Sequence, residues 1–258
     1  GLYAEVARLI EGLRLAPYHL DFYRRGLPEF GPWKRLKETL QETGLSPGEA
    51  ERLAWAMGRQ ASLVHILKTL YLKRLESSVE ALKISLERQM RFQQAFLEQL
   101  REGRLLDATS FRRIEGLVRR MAGEDADLEW TEAEGEIQAL IAELPEIDPA
   151  SYDLDAIEAA VTLDIEALRS ICQKLEALTA REDDKLAALK RLLTGELRGK
   201  KVVVFTYFKD TARYLYRELR NDEDFLKALG HSRLSITDSQ VKPQERKDRI
   251  IRFAPKAH

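Results

Sequence analysis

Lys200–Leu219, KKVVVFTYFKDTARYLYREL, is where the reading of this chain turns. Val202 to Phe205 are β-branched or aromatic without a break and run into Thr206, and a helical pattern starts near Asp210. Such a run followed by a helix reads as a buried strand feeding the first crossover of an α/β layer. A parallel sheet needs several such units to cover its faces, and the residues after Leu219 supply two at most. The expected fold class is therefore mainly α: a long-helix helical domain, residues 1–181, followed by an incomplete α/β unit, residues 182–258.

Everything upstream reads as helix. In LYAEVARLIEGLRL the residues Leu2, Val6, Leu9, Ile10 and Leu13 share one face. Further on, LSPGEAERLAWAMG offers Ser46 as an N-cap, Pro47 at the first helical position and Glu49 in capping-box spacing. From Ala61 to about Arg101 there is neither Gly nor Pro, and Leu63, Leu67, Leu70, Leu75, Val79, Leu82, Leu86, Met90, Phe96 and Leu100 recur at helical intervals. One helix over 61–101 would be a rod of about 60 Å. A shorter helix is expected at Phe111–Met121 and a capping box at Thr131 and Glu134. PEIDP reads as an extended linker, and a second long amphipathic pattern runs from Asp153 to Leu178.

The formal net charge of −1 conceals a segregation. Residues 1–120 hold 21 Lys and Arg against 15 Asp and Glu, residues 121–180 hold 2 against 16, and residues 181–258 hold 19 against 12. An acidic block between two basic regions reads as solvated helix faces, with a phosphate-facing surface as the alternative for the basic ends. No run of 18 apolar residues is present, so no membrane partner is expected. The single cysteine, Cys172, lies on the apolar side of a helical pattern and reads as a buried thiol, with a reducing cytoplasm as the default location.

No complete catalytic site is legible. GELRGKK, Gly195–Lys201, has only three residues between its glycines, lacks a hydroxyl after the lysine and precedes rather than follows the strand, so it is not a phosphate loop. Glu182–Lys185, EDDK, reads as an acidic helix start aligned with the macrodipole. His19, His65, His231 and His258 have no metal-ligand spacing.

Three stretches carry a family resemblance. KVVVFTYFKDTARYLYREL resembles the first strand and helix of the second RecA-like lobe of superfamily 2 helicases. DDKLAALKRLL, Asp183–Leu193, resembles the helix leading into that lobe in the Swi/Snf-like branch. LKTLYLKRLESSVEALKISLER, Leu67–Arg88, resembles a helix of the insertion that joins the two motor lobes in a bacterial group of large Swi/Snf-like helicases. The tail QERKDRIIRFAPKA, Gln244–Ala257, is similar to a segment midway through the second lobe, and the pieces follow the family's order. SITDSQ, Ser235–Gln240, departs from the group where a Gly often follows the second strand.

The resemblance implies that the α/β unit is RecA-like and that the chain is a fragment of an ATP-dependent nucleic-acid helicase or translocase, lacking its first motor lobe. ATP and magnesium are then expected for the parent protein and no cofactor for this chain. The implied partners are that missing lobe and nucleic acid, DNA in the first place, held through phosphates. The implied nucleic-acid-binding residues are Thr206, the amides of Lys209–Thr211, and the charges of Lys209 and Arg246. A strand-end hydroxyl satisfied by backbone is the competing reading of Thr206, and Arg74 reads as a salt-bridge partner of Glu76 or a nearby Asp. The rival function is a helical protein–protein interaction module with no motor role.

Overall fold

The computed structural model describes residues 2–27, 36–105, 151–176, 183–231, 233–238 and 241–253, and it is mainly helical. Its α-helices are α1 (Leu2–Gly12), α2 (Leu36–Glu42), α3 (Pro47–Ser77), α4 (Val79–Arg101), α5 (Leu154–Glu176), α6 (Asp184–Thr194), α7 (Lys209–Arg220), α8 (Glu223–Leu229) and α9 (Pro243–Phe253). The helix expected at Phe111–Met121, the Thr131 capping box, the PEIDP linker and the boundary at Arg181 lie outside the described residues. None of the described helices is long and apolar enough to cross a membrane. The chain divides into two compact units, one of residues 1–73 and 84–173, the other of residues 74–83 and 174–258.

The single rod expected over 61–101 is two helices. Ser46 and Glu49 start α3 with a reciprocal capping box, the Ser46 amide donating to Glu49 at 3.0 Å and the Glu49 amide to Ser46 Oγ at 3.4 Å. The helix then stops at Ser77. Ser78 caps α4, its hydroxyl accepting from the Ala81 amide at 3.1 Å. Beyond this break the chain doubles back: Tyr71 Oη donates to Gln89 Oε1 at 2.8 Å, although 18 residues of straight helix would separate the two by about 27 Å. The apolar repeat continues on both sides of the break, which is why it reads as one element; the two adjacent serines are the signal that it is not.

The strand expected at Val202–Thr206 is not formed. Residues 201–206 belong to neither helix nor ladder, and strand-type pairing among the described residues is limited to an isolated antiparallel bridge between Arg24 and Tyr152. A strand gains its regularity from a neighbour that satisfies its N–H and C=O groups, and this segment has no such neighbour in the described residues. Of the valines only Val202 packs against the core of its unit; Val203, Val204 and Phe205 are exposed, Phe205 by 91%. The helix expected from about Asp210 does form, as α7.

In the first unit the apolar stripes carry polar residues in register. On α5 the buried positions include Ile157, Val161, Asp164, Leu168 and Ile171; on α4 they include Leu86, Gln89, Gln93, Phe96 and Leu100. Asp164 is satisfied by two successive amides at the turn that leaves α1, Arg14 N at 2.7 Å and Leu15 N at 2.6 Å, and by Gln93 Nε2 at 3.1 Å. Leu15 is the one non-glycine with positive φ, 54°, among the described residues. That left-handed step turns both N–H groups into a concavity that a carboxylate fills. Burial raises the Asp164 pKa, with the three hydrogen bonds and the charge of Lys68 opposing it. Close by, His19 packs against Phe22 and Tyr23, with ring centroids 5.3 and 5.6 Å away.

The second unit closes around α6, α7 and α8. Leu186, Leu193, Tyr214, Leu219, Phe225 and Leu229 form its core, with Val202 and Leu234 packed against them. Asp222 caps α8 through the Phe225 amide at 2.9 Å and takes Lys190 Nζ at 2.6 Å, a bond that lowers its pKa.

Two outcomes follow from the first unit. Asp164→Ala leaves two buried donors and a part-buried one without an acceptor and should cost about 3 kcal/mol in urea denaturation, at the upper end of single-site effects. Burial, aided by Lys68, lowers the His19 pKa from 6.5 to about 4. The unfolded chain then takes up a proton that the folded chain refuses, so this contribution is full above pH 6.5 and is lost as pH falls towards 4. His19→Gln should narrow the stability difference between about pH 7 and about pH 5 by about 2 kcal/mol. Asp164, with its raised pKa, acts in the opposite sense, favouring the fold on the acid side of its window.

Candidate functional site

The site is assembled where residues 74–83, the turn between α3 and α4, meet the start of α7 within the second unit. Arg74 continues the stripe of Leu63, Leu67 and Leu70 and is only 4% exposed. Its Nη1 donates to Asp210 Oδ2 at 3.0 Å and to the Ala81 carbonyl at 3.3 Å, and the guanidinium lies 4.5 Å from the centroid of the Phe208 ring. A buried guanidinium costs several kcal/mol in lost hydration and persists only with such partners. The salt bridge expected of Arg74 thus forms, but its partner is neither Glu76 nor an Asp nearby in sequence: it is Asp210, 136 residues along the chain. Glu76 contributes its backbone carbonyl instead, which accepts from Lys185 Nζ.

One turn on, the hydroxyls of Ser77 and Ser78 lie 2.8 and 3.0 Å from Thr211 Oγ1. Farther along α7, Tyr214 donates to Asp183 Oδ2 at 2.9 Å, while the other oxygen of Asp183 caps α6 by accepting from the amides of Lys185 and Leu186, each at 3.0 Å. Burial, then the bond to Asp183, raises the Tyr214 pKa well above the usual phenol range. Glu80, on the first turn of α4, pairs with Arg217 at 3.6 Å. Asp210 in the first turn of α7 also suits the positive end of the helix dipole.

The four residues expected to face phosphates have different surroundings. Thr206 is partly buried and its hydroxyl donates to the Phe208 carbonyl at 3.2 Å. Lys209 is the first residue of α7 and half-buried. Thr211 is 5% exposed and turned towards Ser77 and Ser78, so a phosphate oxygen reaching its hydroxyl would have to displace the serines. Arg246 lies on α9, where Nη2 donates to the carbonyls of Asp238 at 3.0 Å and Val241 at 3.4 Å. Thr206, Lys209 and Thr211 thus gather at the start of α7, and Arg246 is engaged with the segment before α9.

Sequence reasoning passed over Arg74, Ser77, Ser78, Phe208 and Asp210 as an interlocked set. The available signal was a charge in an apolar register at Arg74 and a pair of cap-forming serines inside a helical pattern. Beside this set, Val203, Val204, Phe205 and Tyr207, with Ile250, Ile251 and Phe253 of α9, are large exposed apolar side chains. The two groups adjoin at one end, where Lys201 Nζ donates to the Phe253 carbonyl at 2.8 Å.

Arg74→Ala leaves Asp210 buried without its guanidinium and should destabilise the chain by about 3 kcal/mol or more. A double-mutant cycle with Asp210→Ala should return a coupling energy on the order of 2 kcal/mol that hardly changes with salt. Zero coupling would place the pair among exposed surface ion pairs.

Compared with protein-family models, with curated proteins and with solved structures, the chain finds no match.

Proposed function

We propose that this chain is the inter-lobe helical insertion and the opening part of the second RecA-like lobe of an ATP-dependent nucleic-acid translocase of the Swi/Snf-like type. One observation carries the reading. Leu67–Arg88 is far in sequence from the two other stretches that resemble that family, and the second unit brings part of it onto them: Arg74, Ser77 and Ser78 contact Asp210 and Thr211, and Asp183 at the start of the entry helix accepts from Tyr214. Segments chosen by likeness alone, without regard to contact, have no reason to interlock.

On this reading Val202–Thr206 is the opening strand of an α/β sheet, and its exposed side chains are covered by neighbouring strands of the complete lobe. ATP and magnesium are bound by the parent protein, with the first lobe supplying the phosphate loop, and this chain contributes strand contact. Nucleic acid, taken here as DNA, is held through its backbone by Lys209, the amides at the start of α7, Thr206 and Arg246. Thr211 acts by fixing α7 against Ser77 and Ser78, the serines at the tip formed by the turn between α3 and α4. The rival reading, a helical interaction module without a motor role, draws on the exposed strip at Val203–Tyr207, since apolar patches of that kind mark protein partners.

Fluorescence titration with duplex and single-stranded DNA at several salt concentrations separates the two. The motor reading expects weak, sequence-independent binding with Kd on the order of 10⁻⁴ to 10⁻⁶ M at physiological salt, and a steep salt slope. Replacing Lys209 and Arg246 together by Ala should flatten that slope by up to about two units, uniformly across sequences. Equal slopes for wild type and double variant would favour the interaction module.

A further inference from the structure

The inward face of α4 in the first unit carries two glutamines one helical turn apart, Gln89 and Gln93, exposed by 1% and 0%. Gln89 Oε1 accepts from two tyrosines, Tyr18 Oη at 3.1 Å and Tyr71 Oη at 2.8 Å. Its Nε2 is buried and has no protein partner. Gln93 is arranged the other way round: Nε2 donates to Asp164 Oδ2 at 3.1 Å, and Oε1 is buried without a protein partner. The Gln93 orientation is fixed, because a carboxylate oxygen that already takes the Leu15 amide accepts and does not donate.

One buried donor and one buried acceptor therefore face the interior from positions i and i+4 of the same helix, where side chains are neighbours. Interiors rarely leave such groups unsatisfied, and the two glutamines do not bond each other directly. The ligand that suits them is small, neutral and both donor and acceptor. An anion would meet Gln93 Oε1 and the nearby Asp164 carboxylate, a cation would meet the Gln89 amide hydrogens, and an apolar molecule would satisfy neither. We propose that a single internal water is bound here, accepting from Gln89 Nε2 and donating to Gln93 Oε1. Turning the Gln89 amide round, with its NH₂ on the tyrosine hydroxyls, keeps the site: the water then donates to both carbonyl oxygens. Either way it joins Tyr18, Gln89 and Tyr71 to Gln93, Asp164 and the turn at Leu15 as one hydrogen-bonded chain through the unit.

The test uses the full chain in solution. Water-selective NMR should show a cross-peak of long residence between water and the Gln89 side-chain amide, and oxygen-17 relaxation dispersion should count one fewer long-lived water in Gln93→Met than in wild type. A folded wild type without the cross-peak overturns the proposal, as does an unchanged count in a folded variant. Where Gln93→Met does not fold, Gln89→Met gives the same reading from the other side, and the wild-type cross-peak decides alone if neither folds.

Discussion

The second unit depends on the neutralisation of one buried charge. Arg74 stands in an apolar register of α3, where hydration is lost, and Asp210 is the acid that makes the position tenable. Once that pair is set, the register of α7 is set with it: Thr211 falls on the tip serines and Tyr214 on Asp183. Asp183 in turn caps α6, and Lys185, in the first turn of α6, reaches back to the Glu76 carbonyl. The contacts form a closed ring from tip to α7 to α6 and back to the tip. Apart from the ion pair, each member alone is a hydrogen bond of about 1 kcal/mol net, but each also removes freedom that the next would otherwise have to give up.

The first unit uses a related arrangement with a different outcome. Its stripes also admit polar side chains, but these are satisfied by backbone and amide groups rather than by an opposite charge. Asp164 takes its hydrogen bonds from a left-handed turn, and Gln89 ties two tyrosine hydroxyls. Such networks contribute little net stability but penalise every alternative register, because a slip of one residue buries a bare amide or carboxylate.

Much of the helical architecture was legible because apolar spacing reports a helix face directly. The α5 stripe from Ile157 to Leu175 and the Ser46 capping box are where the spacing puts them. What escaped has a common cause. Counting apolar residues passes over Arg74, Gln89, Gln93 and Asp164, which occupy core positions without being apolar, and it carries a pattern straight across Ser77 and Ser78. The strand at Val202–Thr206 failed for another reason: β-propensity states a fit to a pleated surface, and that surface is made by partners elsewhere in sequence. The candidate site was legible as separate motifs, whereas the meeting of residues 74–78 with the start of α7 rests on contacts across more than 130 residues, which no local pattern encodes.

The placement of residues 74–83 in the second unit, between two stretches of the first, has a consequence for how the chain is made. During synthesis Arg74 emerges 136 residues before Asp210, a wait on the order of 10 s at ordinary translation rates. For that interval the turn carries a guanidinium with no acid to receive it, so it has to stay hydrated while the helices beneath it are free to pack. The first unit can therefore consolidate on the ribosome ahead of the second, whose first ten residues are translated early and whose assembly waits for α7. A segment cut at Lys174 to give the second unit alone would lack those ten residues and inherit Asp210 as an unanswered charge.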